Sequence, residues 1–338
     1  MLTIESLNKR FRLDRSLGAW LHRAPARTVT AVDDVSLSVP RGHVLGIVGE
    51  SGCGKTTLAR CVVRLVEPDG GQVRLDGQDL LALSRAQLRA VRKRVQLVFQ
   101  DPYTSLNPRL TIGAAIAEAA RVHQIVDRAG ERGYVLEMLE LVGLSSEFYD
   151  RLPRALSGGQ RQRAVIARAL AVKPEVLIAD EAVSALDVSI QAQILNLLRR
   201  LTDELGLATL FIAHQLAVIA NISDSVAVMY LGQIVEHGST REIFRSPQHP
   251  YTRALLAAHP EPDPDRRRTE PAVRGDIPSP LDLPNGCRFH TRCPHAQDKC
   301  LTPPPVVDLG EGHQARCVVL PYAEGRVAPA TPPPDADR

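Results

Sequence analysis

Gly49-Glu50-Ser51-Gly52-Cys53-Gly54-Lys55-Thr56-Thr57 has the spacing Gly-x4-Gly-Lys-Ser/Thr, at which a backbone can wrap a phosphate. The glycines allow a tight turn that aims successive N–H groups at an anion. A helix starting near Lys55 turns its positive end to the same point. The apolar run Val44-Leu45-Gly46-Ile47-Val48 supplies the strand from which such a loop emerges. Gly49, Ser51, Gly52, Cys53, Gly54, Lys55, Thr56 and Thr57 are therefore the expected phosphate-binding residues. Lys55 reaches the β- and γ-phosphates, and the Thr56 hydroxyl meets Mg²⁺, a hard ion that keeps oxygen ligands.

The elements that must position this loop can be read around it. Val176-Leu177-Ile178-Ala179-Asp180 and Ala208-Thr209-Leu210-Phe211-Ile212-Ala213-His214 are apolar runs ending in a polar residue, the composition of buried parallel strands. Ligands in such sheets gather at the carboxyl ends of strands, where Asp180 and His214 stand. The alternating runs 2–11, 29–39, 44–48 and 72–75 predict an antiparallel β layer beside the nucleotide. Helical spacing over 112–144 predicts a separate lobe, and 15–27 reads as an inserted loop. The chain has 338 residues, 41 Lys plus Arg against 38 Asp plus Glu, and 4% aromatics. An aliphatic core follows, and the mixed charge does not point to nucleic acid as a partner. The N-terminus lacks a basic segment followed by an apolar one, so no secretory signal is expected. The uncharged stretch 205–223 changes period midway and reads as strand, turn and helix rather than a membrane span.

Leu156-Ser157-Gly158-Gly159-Gln160-Arg161-Gln162-Arg163 opens a helix that runs through Leu170 and ends before Pro174. Beside a phosphate loop, this segment resembles the signature of the ATP-binding cassette family. The resemblance implies a RecA-like α/β P-loop core, an antiparallel β subdomain and a helical subdomain at about 101–170. It also implies that two cassettes pack head to tail, so that Ser157, Gly158, Gly159 and Gln160 of one meet the γ-phosphate held by the other. Asp180 then holds Mg²⁺ and Glu181 polarises the attacking water. Gln100, after Leu97-Val98-Phe99, touches Mg²⁺ and the membrane partner, and His214 contacts the γ-phosphate. Asp187, closing Ser184-Ala185-Leu186-Asp187, lies across the dimer seam, and Phe11 stacks on adenine. Two positions depart from the family: Ala182 stands where proline usually follows the glutamate, and Gln215 where an acidic residue usually follows the histidine.

Ser246-Pro247-Gln248-His249-Pro250-Tyr251, together with Gln100-Asp101-Pro102 and Val188-Ser189-Ile190-Gln191-Ala192-Gln193, resembles ATPase subunits of oligopeptide and dipeptide permeases, almost end to end. The insert between Phe11 and Val29 is more like the second ATPase of such operons. This implies an ATP-hydrolysing subunit at the cytoplasmic face of the cell membrane. Its partners would be a second ATPase (a heterodimer), two transmembrane permease subunits and an extracellular or periplasmic substrate-binding protein. Relatives that import nickel or glycosides, a soluble non-transport ATPase of this family and a nucleotide-gated clamp without turnover are the alternatives. The expected organisation is a cassette at 1–260, a Pro/Cys-rich C-terminal appendage at 261–323 and a disordered tail at 324–338.

Of six cysteines, Cys287, Cys293, Cys300 and Cys317 crowd into that appendage. In a segment with little core of its own, four thiols suggest a metal that holds loops together, as zinc or an iron–sulfur cluster does, although the thiols can also stay unmetallated. The resemblance favours a 4Fe–4S cluster, with zinc as the alternative. Distance in sequence from the phosphate loop suggests that this region leaves nucleotide binding to the core.

Overall fold

The computed structural model describes residues 1–12, 28–184, 186–258 and 275–319. The insert expected at 15–27, Ala185 of the seam loop, the boundary at 260/261 and the tail at 324–338 lie outside these residues. The extended segments β1 (Leu2–Arg12) and β2 (Thr28–Val39) pair antiparallel, Leu2 opposite Val39. The chain then runs through β3 (His43–Val48) and the glycine-rich loop into α1 (Lys55–Val62). It returns through β4 (Gly70–Leu75), which pairs with β1, and β5 (Gln78–Asp79). Among the described residues this sheet has the order β2-β1-β4-β5. β3 does not belong to it, a correction to the expected layer. Val44 through Val48 are buried without alternation, so β3 fits a sheet covered on both faces.

After α2 (Arg85–Val91), begun by a Ser84–Gln87 capping box, β6 (Val95–Val98) leads towards Gln100. A helical lobe follows: α3 (Pro102–Ser105), α4 (Ile112–Val122) capped by Thr111, α5 (Glu131–Leu141) and α6 (Gly158–Leu170). Strands and helices then alternate through β7 (Val176–Asp180), α7 (Val188–Leu205), β8 (Ala208–Ile212), α8 (Leu216–Ile222) and β9 (Ser225–Tyr230). Next come β10 (Gln233–Ser239), α9 (Thr240–Arg245), α10 (Pro250–Ala257), β11 (Val306–Asp308) and β12 (Gln314–Arg316). Among the described residues the second sheet has the order β11-β12-β10-β9-β3-β8-β7-β6 and is parallel from β9 to β6. β3 is thus central, with Val44 and Val48 on the face covered by α7 and α8 and Leu45 and Ile47 on the face towards the antiparallel sheet. Among the described residues no helix is long and apolar enough to cross a membrane.

The cysteine-containing region, expected to have little core of its own, packs on the core of the cassette. β12 adds to β10 through Glu236–Ala315 and His237–Gln314, and β11 adds to β12. Phe289 is buried in the same core as the helical lobe and packs on Tyr230 and Tyr251 with ring centroids 5.4 Å apart. The Glu236 carboxylate, itself buried, accepts the backbone N–H groups of Gln248 and His249 at 2.6 and 2.9 Å. It also bonds His313 Nε2 at 2.8 Å, tying three segments together.

Candidate active site

The loop Gly49–Gly54 leaves β3 and turns into α1. Gly54 has φ 111° and lies so close to β2 that a Cβ there would be 2.0 Å from the Ala31 carbonyl oxygen. A Cβ at Gly49 would be 2.1 Å from the Met229 carbonyl oxygen of β9. Only glycine fits at either position. Lys55 is buried, and its ammonium donates to the Gly49 and Glu50 carbonyls at 2.8 and 3.0 Å. Thr56 Oγ1 donates to Asp180 Oδ1 at 3.0 Å, so α1 and the end of β7 meet at one point. Burial raises the pKa of Asp180, and the Thr56 hydrogen bond works against that rise. A hydroxyl and a carboxylate so placed fit the oxygen donors that Mg²⁺ takes.

Glu181, the next residue, has φ 47° and its N–H donates to Ile212 O at 2.9 Å. Gln100 Nε2 donates to Glu181 Oε2 at 2.6 Å, and His214 Nδ1 stands 3.9 Å from the same oxygen. Three strand ends of the parallel sheet thus converge on one carboxylate. Ser51, Gly52, Gly54, Lys55, Thr56, Thr57, Gln100 and Glu181 line a cleft of about 370 Å³, together with Phe11, Val29, Thr30, Ala31, Leu231 and Pro280. His214 and Glu181 also border a small adjoining hollow with Ser184 and Gln191.

Ser157, Gly158, Gly159, Gln160 and Asp187 do not line the cleft. Ser157 caps α6, with its Oγ accepting from Gln160 N at 3.3 Å and Gln160 Oε1 accepting from Ser157 N at 3.0 Å. Arg161, 3% exposed, donates to the Pro153 and Leu156 carbonyls and fixes the turn before Ser157. A Cβ on Gly159 would approach Ile190 Cγ2 to 2.5 Å, which packs the start of α6 against α7.

Sequence reasoning missed Pro280 in the cleft wall and the partners of Glu50. Arg292 and Tyr251 both bond Glu50, across 242 and 201 residues, and no local pattern announces either. The four cysteines fall within electrostatic reach of one another. Cys287 N donates to Cys300 O at 2.8 Å; Cys300 and Cys317 act electrostatically on the Cys287 thiol, and Cys287, Cys300 and Cys317 on that of Cys293. Burial raises the Cys287 thiol and pushes Cys293 to about 11. Backbone N–H groups approach each sulfur, with Gln297 N 3.5 Å from Cys300 Sγ and Val319 N 3.4 Å from Cys317 Sγ. Among the described residues no three His, Cys, Asp or Glu side chains are arranged to hold a metal ion.

Residues 32–184 match the ABC transporter family, and residues 235–300 match the oligopeptide/dipeptide transporter C-terminal region. A probable peptide ABC transporter ATP-binding protein of Sinorhizobium fredii is 49% identical over 98% of this chain and 93% of its own length. The oligopeptide transport ATP-binding protein OppF of Escherichia coli is 49% identical over 87% of this chain and 89% of its own. Among solved structures, a dimeric bacterial ABC transporter cassette superposes with a TM-score of 0.62 at 27% identity, covering 71% of this chain and 99% of that one. A post-hydrolysis state of that cassette, bound to ADP and phosphate, gives 0.61 at 26% identity over 71% and 99%. The chain therefore belongs to the ATP-binding cassette family of ATPases, in the group that carries the oligopeptide/dipeptide transporter C-terminal region.

Proposed function

We propose that this chain hydrolyses ATP to power import of oligopeptides or dipeptides through a membrane ABC transporter, at its cytoplasmic face. The observation that carries the site is the meeting of Thr56, Asp180, Glu181 and Gln100 at the mouth of the glycine loop. Loop N–H groups and Lys55 bind the β- and γ-phosphates, and Thr56, Asp180 and Gln100 are the residues for Mg²⁺. Mg²⁺, when bound, neutralises charge that develops on the transferring phosphoryl group. Glu181 accepts a proton from the attacking water as its oxygen bonds to the γ-phosphorus, and the bond to the β-phosphate oxygen breaks. His214, on the Glu181 side, contacts the γ-phosphate, while Phe11, which lines the cleft, stacks on adenine. Ser157, Gly158, Gly159, Gln160 and Asp187, outside this cleft, serve the cleft of a second ATPase subunit. Two transmembrane permeases and a substrate-binding protein complete the assembly.

The test is uptake of labelled di- and oligopeptides by vesicles holding the assembled transporter. Uptake should depend on ATP inside the cytoplasmic compartment and vanish with Lys55→Ala. ATP-driven uptake of nickel or a glycoside without peptide would overturn the substrate class.

For Cys287, Cys293, Cys300 and Cys317 the reading is structural ligation of a 4Fe–4S cluster, with zinc as the alternative. Backbone N–H groups directed at the four sulfurs favour thiolates, the form that ligates such a cluster, although the described side chains are not themselves arranged around a metal ion. Anaerobically purified protein should carry about four irons per chain and absorb broadly near roughly 400 nm. Stoichiometric zinc without iron would reject the cluster.

A further inference from the structure

Glu50 occupies a variable position of the phosphate loop, where the motif asks nothing of the side chain. It is nevertheless held from two directions. Arg292 Nη1 and Nη2 donate to Glu50 Oε2 and Oε1 at 2.9 and 3.1 Å, a bidentate fork, and Nη1 also donates to Tyr230 Oη at 3.2 Å. The Arg292 side chain is 7% exposed and that of Glu50 25%, so the pair is poorly screened by water. Burial alone would lower the pKa of Arg292, but Glu50 and Tyr230 raise it. From α10, Tyr251 Oη accepts the Glu50 backbone N–H at 2.9 Å. The Glu50 carbonyl in turn accepts from Lys55. Pro280, from the same C-terminal region, forms part of the cleft wall.

A loop with glycines at 49, 52 and 54 loses much backbone freedom when it orders around a phosphate. Pinning Glu50 through both its side chain and its backbone removes part of that loss before the nucleotide arrives. We propose that Arg292 is a positioning residue for nucleotide binding: through Glu50 it pre-sets the phosphate loop, so that docking of the C-terminal region and ATP affinity are linked. The proposal rests on the assignment of the loop as the nucleotide site. Linkage is reciprocal, so bound nucleotide should also tighten docking of the region around Arg292.

The test uses the full chain in its ATPase assembly and measures KM and kcat for ATP alongside direct binding of a fluorescent ATP analogue. Arg292→Ala should raise KM and the dissociation constant on the order of 10-fold while kcat changes less than about 2-fold. Arg292→Lys should recover only part of the affinity, because an ammonium cannot reproduce the fork. In Glu50→Ala the further change Arg292→Ala should cost little, since both act through one contact. Tyr251→Phe, which removes only the accepting hydroxyl, should weaken ATP binding in the same direction if Arg292→Ala does not fold. A lowered melting temperature with unchanged KM, or fully additive effects of the Glu50 and Arg292 changes, would overturn the proposal. Lost binding in Lys55→Ala beside parental binding in Arg292→Ala rejects this inference alone; parental binding in Lys55→Ala rejects the site beneath it.

Discussion

Glu181 sits just past β7 in the left-handed backbone region, a conformation that costs a non-glycine residue on the order of 1 kcal/mol or more. Ala182 follows it, buried, where a proline would restrict the preceding backbone. In this chain the Ile212 carbonyl and the Gln100 amide hold Glu181 instead. Glu181→Gln keeps an acceptor for Gln100 but removes the base. ATP should therefore still bind, while hydrolysis slows by about 10²–10⁴-fold; parental hydrolysis in the assembled transporter would remove Glu181 from its role. Gly49 is constrained differently, by the Met229 carbonyl oxygen, which an added Cβ would approach to 2.1 Å. Gly49→Ala must push β3 and β9 apart, at a cost of about 1–3 kcal/mol, and denaturant unfolding should read this together with weakened ATP binding. At this scale the sequence was most informative, because the glycine loop, Lys55 and Thr56 are neighbours in the chain. Asp180 was found through the apolar run before it. Arg292 had no such marker, since its function depends on a contact 242 residues away.

Elements buried on both faces were legible where they were long apolar runs, as with β7 and β8. β3 has the same character, yet its short neighbours drew it into the wrong sheet. β11 and β12 have only three residues each, too few for alternation to show. α10 shows what a short helix can carry. His249 caps it, Nδ1 accepting from Tyr251 N at 3.1 Å, and the ring is buried against Phe289. Burial lowers its pKa from 6.5 to about 4. Between those values the unfolded chain binds a proton that the folded chain refuses, so stability is full above pH 6.5 and falls as the pH drops towards 4. The loss is about 3 kcal/mol in all, at about 1.4 kcal/mol for each tenfold difference in proton affinity. His249→Asn retains a capping oxygen without a titrating ring. Unfolding measured from pH 7 to 4 should show a shallower slope in this variant; an unchanged slope would place the acid sensitivity elsewhere.

At the scale of the whole molecule, the phosphate loop and the signature turn are both prepared for an anion, yet only the first lines the cleft. Ser157 uses its hydroxyl to cap α6, and Gly159 is required by the approach of Ile190, so the turn is a finished surface outside its own chain's cleft. A second subunit placed head to tail would bring each turn to the other's γ-phosphate, as the resemblance implied from Leu156 to Gln160. Two damaged chains can test that arrangement. Lys55→Ala removes phosphate binding from one cleft, and Ser157→Arg fills the turn that should complete the opposite one. In a dimer of one of each, both lesions fall on a single composite site if the turn acts in trans, and the other site is intact. They fall on separate sites if it acts in cis, and neither site is whole. Mixing the two chains after subunit exchange should therefore restore ATPase activity above that of either variant alone. Exchange demonstrated by a labelled subunit, with no recovery, would count against the trans arrangement. If the chain pairs only with a different ATPase, the Ser157 equivalent must be altered in that partner, and the double variant should then lose no more activity than either single variant if the turn acts in trans, but lose both sites if it acts in cis.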